Sequence, residues 1–101
     1  MAREITVEEL KHKLDAGDEF VFVDVREPHE YEEFNLGAKL IPLGEVPQRI
    51  GEFGPPDGEI VVHCRSGARS GRAQQYLEVN GYTNVANVTG GALAWRERYG
   101  S

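Results

Sequence analysis

Residues 60–70 read IVVHCRSGARS, an apolar run that leads directly into a loop and then into a predicted helix. The apolar residues 60–62 predict a strand buried on both faces, which is typical of a parallel sheet flanked by helices. Cys64, the only cysteine of the chain, comes immediately after this strand. Unpaired backbone N–H groups and the positive end of a helix dipole surround a sulfur at such a junction. The stretch therefore predicts an α/β fold with an ionised thiol at the carboxyl end of a strand.

The six residues after Cys64 have the composition of an anion-binding loop. Arg65 and Arg69 add two cations, and Arg69 either closes the ring of donors or holds it from outside. Gly67 and its small neighbours let the backbone curl with its N–H groups pointing inward. A cysteine acting only as a small buried hydrophobe would not explain these neighbours, so Cys64 is the candidate catalytic nucleophile. The candidate substrate-binding residues are Arg65, Ser66, Gly67, Ala68, Arg69 and Ser70.

Composition and charge exclude several classes of protein. The net charge of −6 argues against general nucleic-acid binding, although an anionic substrate remains compatible with a locally positive pocket. The single cysteine excludes an internal disulfide and a cysteine-rich zinc site, and we expect no metal and no cofactor. We expect no signal peptide and no membrane span, because no long apolar segment occurs. A free thiol fits a reducing compartment, so we expect the protein in the cytoplasm.

The remaining elements fit one domain over residues 1–101. Short apolar segments at 4–5, 20–23, 39–41, 60–63 and 85–88 predict five strands that alternate with amphipathic segments. Thr6 and Glu9 have the spacing of a capping box and predict the start of the first helix. A helix is predicted over 68–80. Its apolar side is assigned to Ala73, Tyr76, Leu77 and Asn80.

Several polar residues have two interpretations. Asp24 and Arg26 follow a predicted strand and either support the site or form a structural cap and ion pair; we favour the structural role. His63 precedes Cys64 and should point away from the sulfur, because side chains alternate along a strand. The acidic cluster is interpreted as a solvated helix face. It comprises Glu27, Glu30, Glu32 and Glu33.

These motifs, taken in order along the chain, resemble a single-domain rhodanese of the sulfurtransferase family. Residues 24–26 with 30–31 resemble the first signature of the family, and residues 37–38 with 41–42 resemble the next element. Residues 64–70 match its active loop, and 90–91 with Trp95 match its closing signature. The resemblance implies a three-layer α/β/α fold around a central, mostly parallel five-stranded sheet. Residues 34–38 are shorter than the usual stretch and lack its histidine, which predicts a local loop change.

The resemblance implies a chemistry as well as a fold. The Cys64 thiolate would take the outer sulfur of thiosulfate or another small anionic sulfur donor and hold it as a persulfide. An acceptor such as cyanide, a thiol, or a sulfur-carrier or cofactor-biosynthesis protein would then remove that sulfur. The reaction would follow a two-step ping-pong scheme. Asp24 and Arg26 would be supporting residues.

Two other functions remain open from the sequence. A small cysteine-dependent phosphatase or arsenate reductase would use the same kind of loop, but such phosphatases place the loop arginine six positions after the cysteine. Here Arg69 stands five positions after Cys64, and Ser70 occupies the sixth. A non-catalytic rhodanese-like binding module is the third alternative, although such a module has no need of a reactive thiol.

Overall fold

The computed structural model describes residues 3–100, which form five strands and four α-helices. The strands are β1 (Arg3–Ile5), β2 (Val21–Asp24), β3 (Lys39–Leu40), β4 (Ile60–His63) and β5 (Val85–Val88). The helices are α1 (Val7–Ala16), α2 (Pro28–Glu33), α3 (Ala68–Val79) and α4 (Gly91–Tyr99). Two short 3₁₀ turns, Leu43–Glu45 and Ile50–Phe53, lie between β3 and β4. No helix within residues 3–100 is long and apolar enough to cross a lipid bilayer.

The five strands form one parallel sheet with the order β1-β5-β4-β2-β3. The predicted five-stranded α/β architecture is confirmed. The central strand β4 pairs with β2 through Asp24 opposite His63, and with β5 through Val62 opposite Asn87. Because every strand points the same way, the residues that follow β2, β4 and β5 meet at one edge of the sheet.

The core has two layers, one on each face of the sheet. On one face, α3 and the 3₁₀ turns pack on an apolar cluster that contains Val62, Phe53 and Leu77. On the opposite face, a second cluster contains Leu10 of α1, and the partly buried aromatic rings of α4 pack against it. Residues 60–62 are fully buried, as their continuous apolar pattern predicts.

Local sequence signals account for the start of α1. The Thr6 hydroxyl oxygen accepts a hydrogen bond from the Glu9 N–H at 3.0 Å. The Glu9 carboxylate in turn accepts one from the Thr6 N–H at 2.9 Å. These two contacts are the predicted capping box, which satisfies two backbone donors at the helix start.

The predicted apolar side of α3 was partly wrong. Tyr76 is 37% exposed and Asn80 is exposed, whereas Gln74 is 2% exposed. The Gln74 amide donates to the carbonyl oxygens of Arg3 at 2.8 Å and Val85 at 2.9 Å. A buried polar group is tolerated where its hydrogen bonds are satisfied. Hydrogen bonding to the β1 and β5 backbone thus rotates α3 away from the orientation that hydrophobicity alone predicts.

Candidate functional site

Cys64 lies directly after β4, beneath the loop that leads into α3, and only 1% of its surface is exposed. The N-terminus of α4 holds the start of this loop. The Ala92 N–H donates to the Cys64 carbonyl at 2.9 Å, and the Leu93 N–H donates to the Arg65 carbonyl at 3.0 Å. A Cβ atom at Gly91 would meet the Cys64 carbonyl oxygen and would lie 2.7 Å from that of Arg65. Only glycine therefore permits this close approach of α4.

Two hydrogen-bond donors converge on the Cys64 sulfur. The Gly67 N–H lies 3.1 Å from Sγ, and the Ser70 hydroxyl oxygen lies 3.3 Å from it. Gly67 has φ 109°, a left-handed conformation that an L side chain would strain, and it is the N-cap of α3. The loop backbone therefore directs its N–H groups at the sulfur because glycine occupies this position.

Opposing effects act on the pKa of Cys64. Burial raises this pKa, because the thiolate loses its hydration. Hydrogen bonds from the Ser70 side chain and from the backbone N–H groups of Ser70, Gly67 and Ser66 lower it. The hydrogen bonds prevail, and the pKa of the Cys64 thiol lies below its ordinary value. Stabilised charge on a sulfur is the property that nucleophilic chemistry requires.

Arg69 does not close the loop over the sulfur. Its guanidinium binds both carboxylate oxygens of Glu30 on α2, at 2.7 and 2.9 Å. This two-point hydrogen bond lowers the pKa of Glu30 to about 2. Arg69 therefore holds the start of α3 against α2 from outside the loop, one of the two roles predicted for it.

The other substrate-binding candidates lie along the same loop. Ser66 and Ala68 are exposed, and Ser66 acts through its backbone N–H. Within residues 3–100, the exposed Arg65 guanidinium has no ion pair. It lines a cleft of about 100 Å³ together with Arg96, Phe34 and Leu93. Arg26 and the carboxylates of Glu30 and Glu33 line the cleft as well, so three cations, two anions and an apolar wall adjoin the sulfur loop.

Asp24 and Arg26 lie at the same edge of the sheet but point into the protein. Both are nearly fully buried, and the Arg26 guanidinium binds the Asp24 carboxylate at 2.8 Å. Arg26 also donates to the Phe34 carbonyl at 2.6 Å and so holds the end of α2. These contacts are those of a cap and an ion pair, and whether the pair also supports the chemistry stays a prediction.

His63 lies on the opposite face of β4 from the sulfur, as strand alternation predicts. Its ring packs against Phe22 with centroids 5.4 Å apart. Its Nδ1 contacts the Cys64 carbonyl at 3.2 Å, and burial lowers the pKa of the ring. Within the described range, no group of three potential ligand side chains could hold a metal ion.

Two residues that contact the sulfur loop were given other roles by the sequence analysis. Glu30 was assigned to a solvated acidic face, which was wrong because its carboxylate is bound by Arg69. Asn87 was read only as part of a strand, but its Oδ1 accepts the Ser70 hydroxyl at 2.6 Å. A polar residue within an otherwise apolar strand, here β5, is the signal that could have identified Asn87.

The fold and the loop together define a class: an α/β protein that holds a cysteine of lowered pKa among hydrogen-bond donors at the carboxyl edge of a parallel sheet. Residues 6–98 match the rhodanese-like domain, and the chain belongs to that family.

Relatives and a solved structure agree with this assignment. The chain is 38% identical over 96 residues to a sulfurtransferase of Allochromatium vinosum, covering 94% of this chain and 89% of that protein. It is 41% identical over 71 residues to the thiosulfate sulfurtransferase PspE of Escherichia coli, covering 68% of each chain. The crystal structure of a rhodanese-like domain protein from Staphylococcus aureus matches with a TM-score of 0.83 and 36% identity. That match covers 92% of this chain and 90% of the other. The family and its named relatives support sulfur transfer as the general activity.

Proposed function

We propose that this protein is a rhodanese-type sulfurtransferase that moves a sulfane sulfur through a persulfide on Cys64. The observation that carries the proposal is the pair of donors on Sγ, the Gly67 N–H at 3.1 Å and the Ser70 hydroxyl at 3.3 Å. Such donors stabilise a thiolate without a partner base. Cys64 is the catalytic residue. The loop from Arg65 to Ser70 binds the anionic donor through its backbone N–H groups, while the Arg69 side chain holds the loop against α2.

The first half-reaction takes sulfur from thiosulfate or a similar small anionic donor. The Cys64 thiolate attacks the outer sulfur of thiosulfate, and a new S–S bond forms. The old S–S bond breaks, and sulfite leaves with the electron pair. The negative charge then lies on the outer sulfur of the persulfide, where the inward N–H groups of the loop stabilise it.

The second half-reaction transfers the outer sulfur to an acceptor. Cyanide, a thiolate or a sulfur-carrier protein attacks the outer sulfur, and the Cys64 sulfur leaves as a thiolate. No proton has to move at Cys64 in either step, which agrees with the absence of a titratable side chain bonded to Sγ among the described contacts. The stabilisation that favours the thiolate as a nucleophile also favours it as a leaving group.

The surroundings of the sulfur support a small anionic donor. Cys64 is 1% exposed, so only a narrow reagent reaches Sγ without moving the loop. The Arg65 guanidinium, which has no ion pair among the described residues, and Arg96, which lines the same cleft, raise the local concentration of anions despite the net charge of −6. We take the cytoplasm as the site of the reaction, because a reducing compartment keeps a lone thiol free.

The geometry disfavours the phosphatase alternative. A phosphatase loop needs an arginine across the bound phosphate, whereas the Arg69 guanidinium is held outside the loop by both oxygens of Glu30. A non-catalytic module is disfavoured as well, since burial of a thiol with hydrogen bonds that favour its ionised form serves no docking purpose.

Mass spectrometry of the intact protein tests the proposal. The protein, purified without reductant, is treated with thiosulfate, and we expect a mass gain of one sulfur atom together with release of one equivalent of sulfite. Cyanide should remove the added mass. The matched variant Cys64→Ser should gain nothing. Failure of the wild-type protein to gain sulfur from thiosulfate or from an organic persulfide would contradict sulfur transfer, and phosphate-ester hydrolysis lost in Cys64→Ser would favour the alternative.

A further inference from the structure

The Ser70 hydroxyl has two acceptors within reach and one hydrogen. Its oxygen lies 2.6 Å from Asn87 Oδ1 and 3.3 Å from Cys64 Sγ. A serine hydroxyl donates one hydrogen bond at a time. The two acceptors therefore compete for the same hydrogen, and the state of the sulfur decides which of them receives it.

Contacts on the other side of the amide fix the orientation of Asn87. Its Nδ2 donates to the Gly67 carbonyl at 3.1 Å and to the Glu4 carboxylate at 3.4 Å. Both partners are acceptors, so the nitrogen must face them and Oδ1 must face Ser70. Asn87 thus presents a fixed acceptor to the hydroxyl.

The competition for the Ser70 hydrogen carries an energetic cost because all three side chains are buried. Ser70 is fully buried, Cys64 is 1% exposed and Asn87 is 5% exposed, so water does not readily replace a lost partner. A buried acceptor that loses its donor is destabilised by about the strength of a net hydrogen bond.

We propose that Asn87 is a positioning residue that holds the Ser70 hydrogen whenever the Cys64 sulfur carries no charge, and releases it when that sulfur becomes a bare thiolate. In the thiol state the S–H donates to the Ser70 oxygen and the hydroxyl donates to Asn87. In the thiolate state the hydroxyl turns to Sγ and Asn87 Oδ1 is left without this donor. Asn87 therefore opposes ionisation of Cys64, while Ser70 favours it.

The same switch acts on the persulfide, and this half of the inference rests on the proposed function. When Cys64 carries a second sulfur, the charge lies on the outer atom and Sγ is neutral. The Ser70 hydroxyl then returns to Asn87. Asn87 thus favours the sulfur-loaded form over the free thiolate, and it promotes the first half-reaction relative to its reversal by sulfite.

Other charged groups surround this network on every element packed against it. They are Glu4 on β1, Asp24 at the end of β2 and Arg26 after it, Glu30 on α2, His63 on β4, Arg65 and Arg69 around the loop, and Arg96 on α4. All of these charged side chains are kept in Ser70→Ala, Asn87→Leu and Asn87→Ala, whereas Asn87→Asp adds a carboxylate of its own.

A double-mutant cycle on thiolate titration tests the proposal. Cys64 is the only cysteine, and Cys64→Ser keeps all four tyrosines. The difference in ultraviolet absorbance between the protein and Cys64→Ser, followed against pH, therefore reports the Cys64 thiolate. We expect Ser70→Ala to raise the pKa of Cys64 and Asn87→Leu to lower it, each by about half to one unit. In the Ser70→Ala background, Asn87→Leu should leave the pKa unchanged.

A second substitution separates the acceptor from packing. Asn87→Asp keeps an oxygen acceptor and adds a negative charge, and both effects disfavour the thiolate. The pKa of Cys64 in Asn87→Asp should therefore stay at or above the wild-type value, while in Asn87→Ala it should fall as in Asn87→Leu. Three results for the pKa of Cys64 would each overturn the proposal. The first is a rise or no change in Asn87→Leu, and the second is an equal fall when Asn87→Leu is added to Ser70→Ala. The third is a fall in Asn87→Asp.

The persulfide form is tested separately. The measurement is the equilibrium in which free enzyme and thiosulfate give the persulfide form and sulfite. Asn87→Leu should shift this equilibrium toward free enzyme by about three- to tenfold, and an unchanged equilibrium would overturn the persulfide half. The titration needs no sulfur donor. A protein that never accepts sulfur would therefore disprove the proposed function while leaving the competition for the Ser70 hydrogen measurable.

Discussion

The loops that follow β2 and β4 leave the same edge of the sheet side by side, since Asp24 pairs with His63 in the register. At the end of β2, hydrogen-bond donors of the same segment satisfy the Asp24 carboxylate. It accepts hydrogen bonds from the Arg26 backbone N–H at 2.9 Å and from the Arg26 guanidinium at 2.8 Å. After β4, the Gly67 N–H at 3.1 Å instead points at a sulfur. Both loops gather donors around a potential anion.

The difference lies in what the anion is able to do. A carboxylate buried with its own guanidinium is chemically inert and ties α2 to the sheet. A thiolate among N–H groups remains a nucleophile, because hydrogen bonds stabilise its charge without consuming its lone pairs in a covalent bond. The first loop should therefore govern stability and the second should govern reactivity.

Breaking the ion pair after β2 should have the largest effect. Arg26→Ala leaves the fully buried Asp24 carboxylate without its guanidinium. We expect a loss of about 3–5 kcal/mol in the free energy of unfolding, because an unpaired buried charge is strongly destabilising. Denaturant unfolding measures the loss. The exposed Arg65→Ala variant is the matched control and should change stability by less than about 0.5 kcal/mol; equal losses would disprove the contrast between the loops.

Distorting the loop after β4 should reduce activity more than stability. Gly67→Ala places a side chain at φ 109°, with no heavy atom closer than 3.7 Å to the new Cβ, so strain rather than collision is expected. Relief of that strain would move the N–H away from Sγ. We expect sulfur transfer to fall about 100-fold, the usual effect of losing one preorganised donor, when measured by cyanide-dependent thiocyanate formation.

Gly37→Ala provides the matched control for strain. Gly37 has φ 83° and open space around it, but it lies outside the sulfur loop. Both variants should lose about 1–2 kcal/mol of stability from the left-handed backbone. A comparable loss of activity in Gly37→Ala would show that Gly67 acts through general destabilisation.

Removing the charge of Arg65 should produce a smaller effect confined to substrate binding. We expect Arg65→Gln to raise the KM for thiosulfate about tenfold at low salt, with kcat little changed and the difference shrinking as salt is added. Arg49→Gln carries the same charge change but lies among Glu45 and Glu52, in contact with the 3₁₀ turns. Its KM should match that of the wild type. An equal rise in both variants would assign the effect to net charge.

The smallest effect should be the acid sensitivity of the clamp between α2 and α3. The Arg69 guanidinium depresses the pKa of Glu30 from 4.5 to about 2, so the pair stabilises the fold above pH 4.5 and this stability is lost as pH falls toward about 2. We expect Glu30→Gln to lower stability at neutral pH by about 1 kcal/mol, given solvent screening.

The difference in the free energy of unfolding between Glu30→Gln and the wild type should disappear as the pH falls from 4.5 toward about 2. Unfolding followed at several pH values measures it. Glu52, whose pKa is also lowered to about 2 by Arg49 and Lys39, supplies the control substitution Glu52→Gln on an exposed turn away from the loop. A gap for Glu30→Gln that persists at low pH would show that the effect is not electrostatic.

The sequence predicted the elements whose causes are local. The apolar run 60–62 predicted a buried strand, and the spacing of Thr6 and Glu9 predicted the capping box. The loop after Cys64 could be interpreted because its glycine, its small residues and its cysteine act through backbone geometry within a few positions. These features depend on neighbours in the chain, which a sequence displays directly.

Contacts between distant segments were decided by the tertiary structure alone. Arg69 meets Glu30 across 39 positions and Ser70 meets Asn87 across 17, so no local pattern announces either pair. Gln74 replaces Tyr76 on the buried side of α3 because two backbone carbonyls from other strands accept its amide hydrogens. The chain by itself determined where a reactive sulfur stands, since strand, turn and helix signals are local. Which side chains form hydrogen bonds around that sulfur was decided only by the tertiary structure. Parallel strands bring residues that are remote in sequence to one edge of the sheet, and a hydrogen bond requires approach in space rather than proximity in sequence.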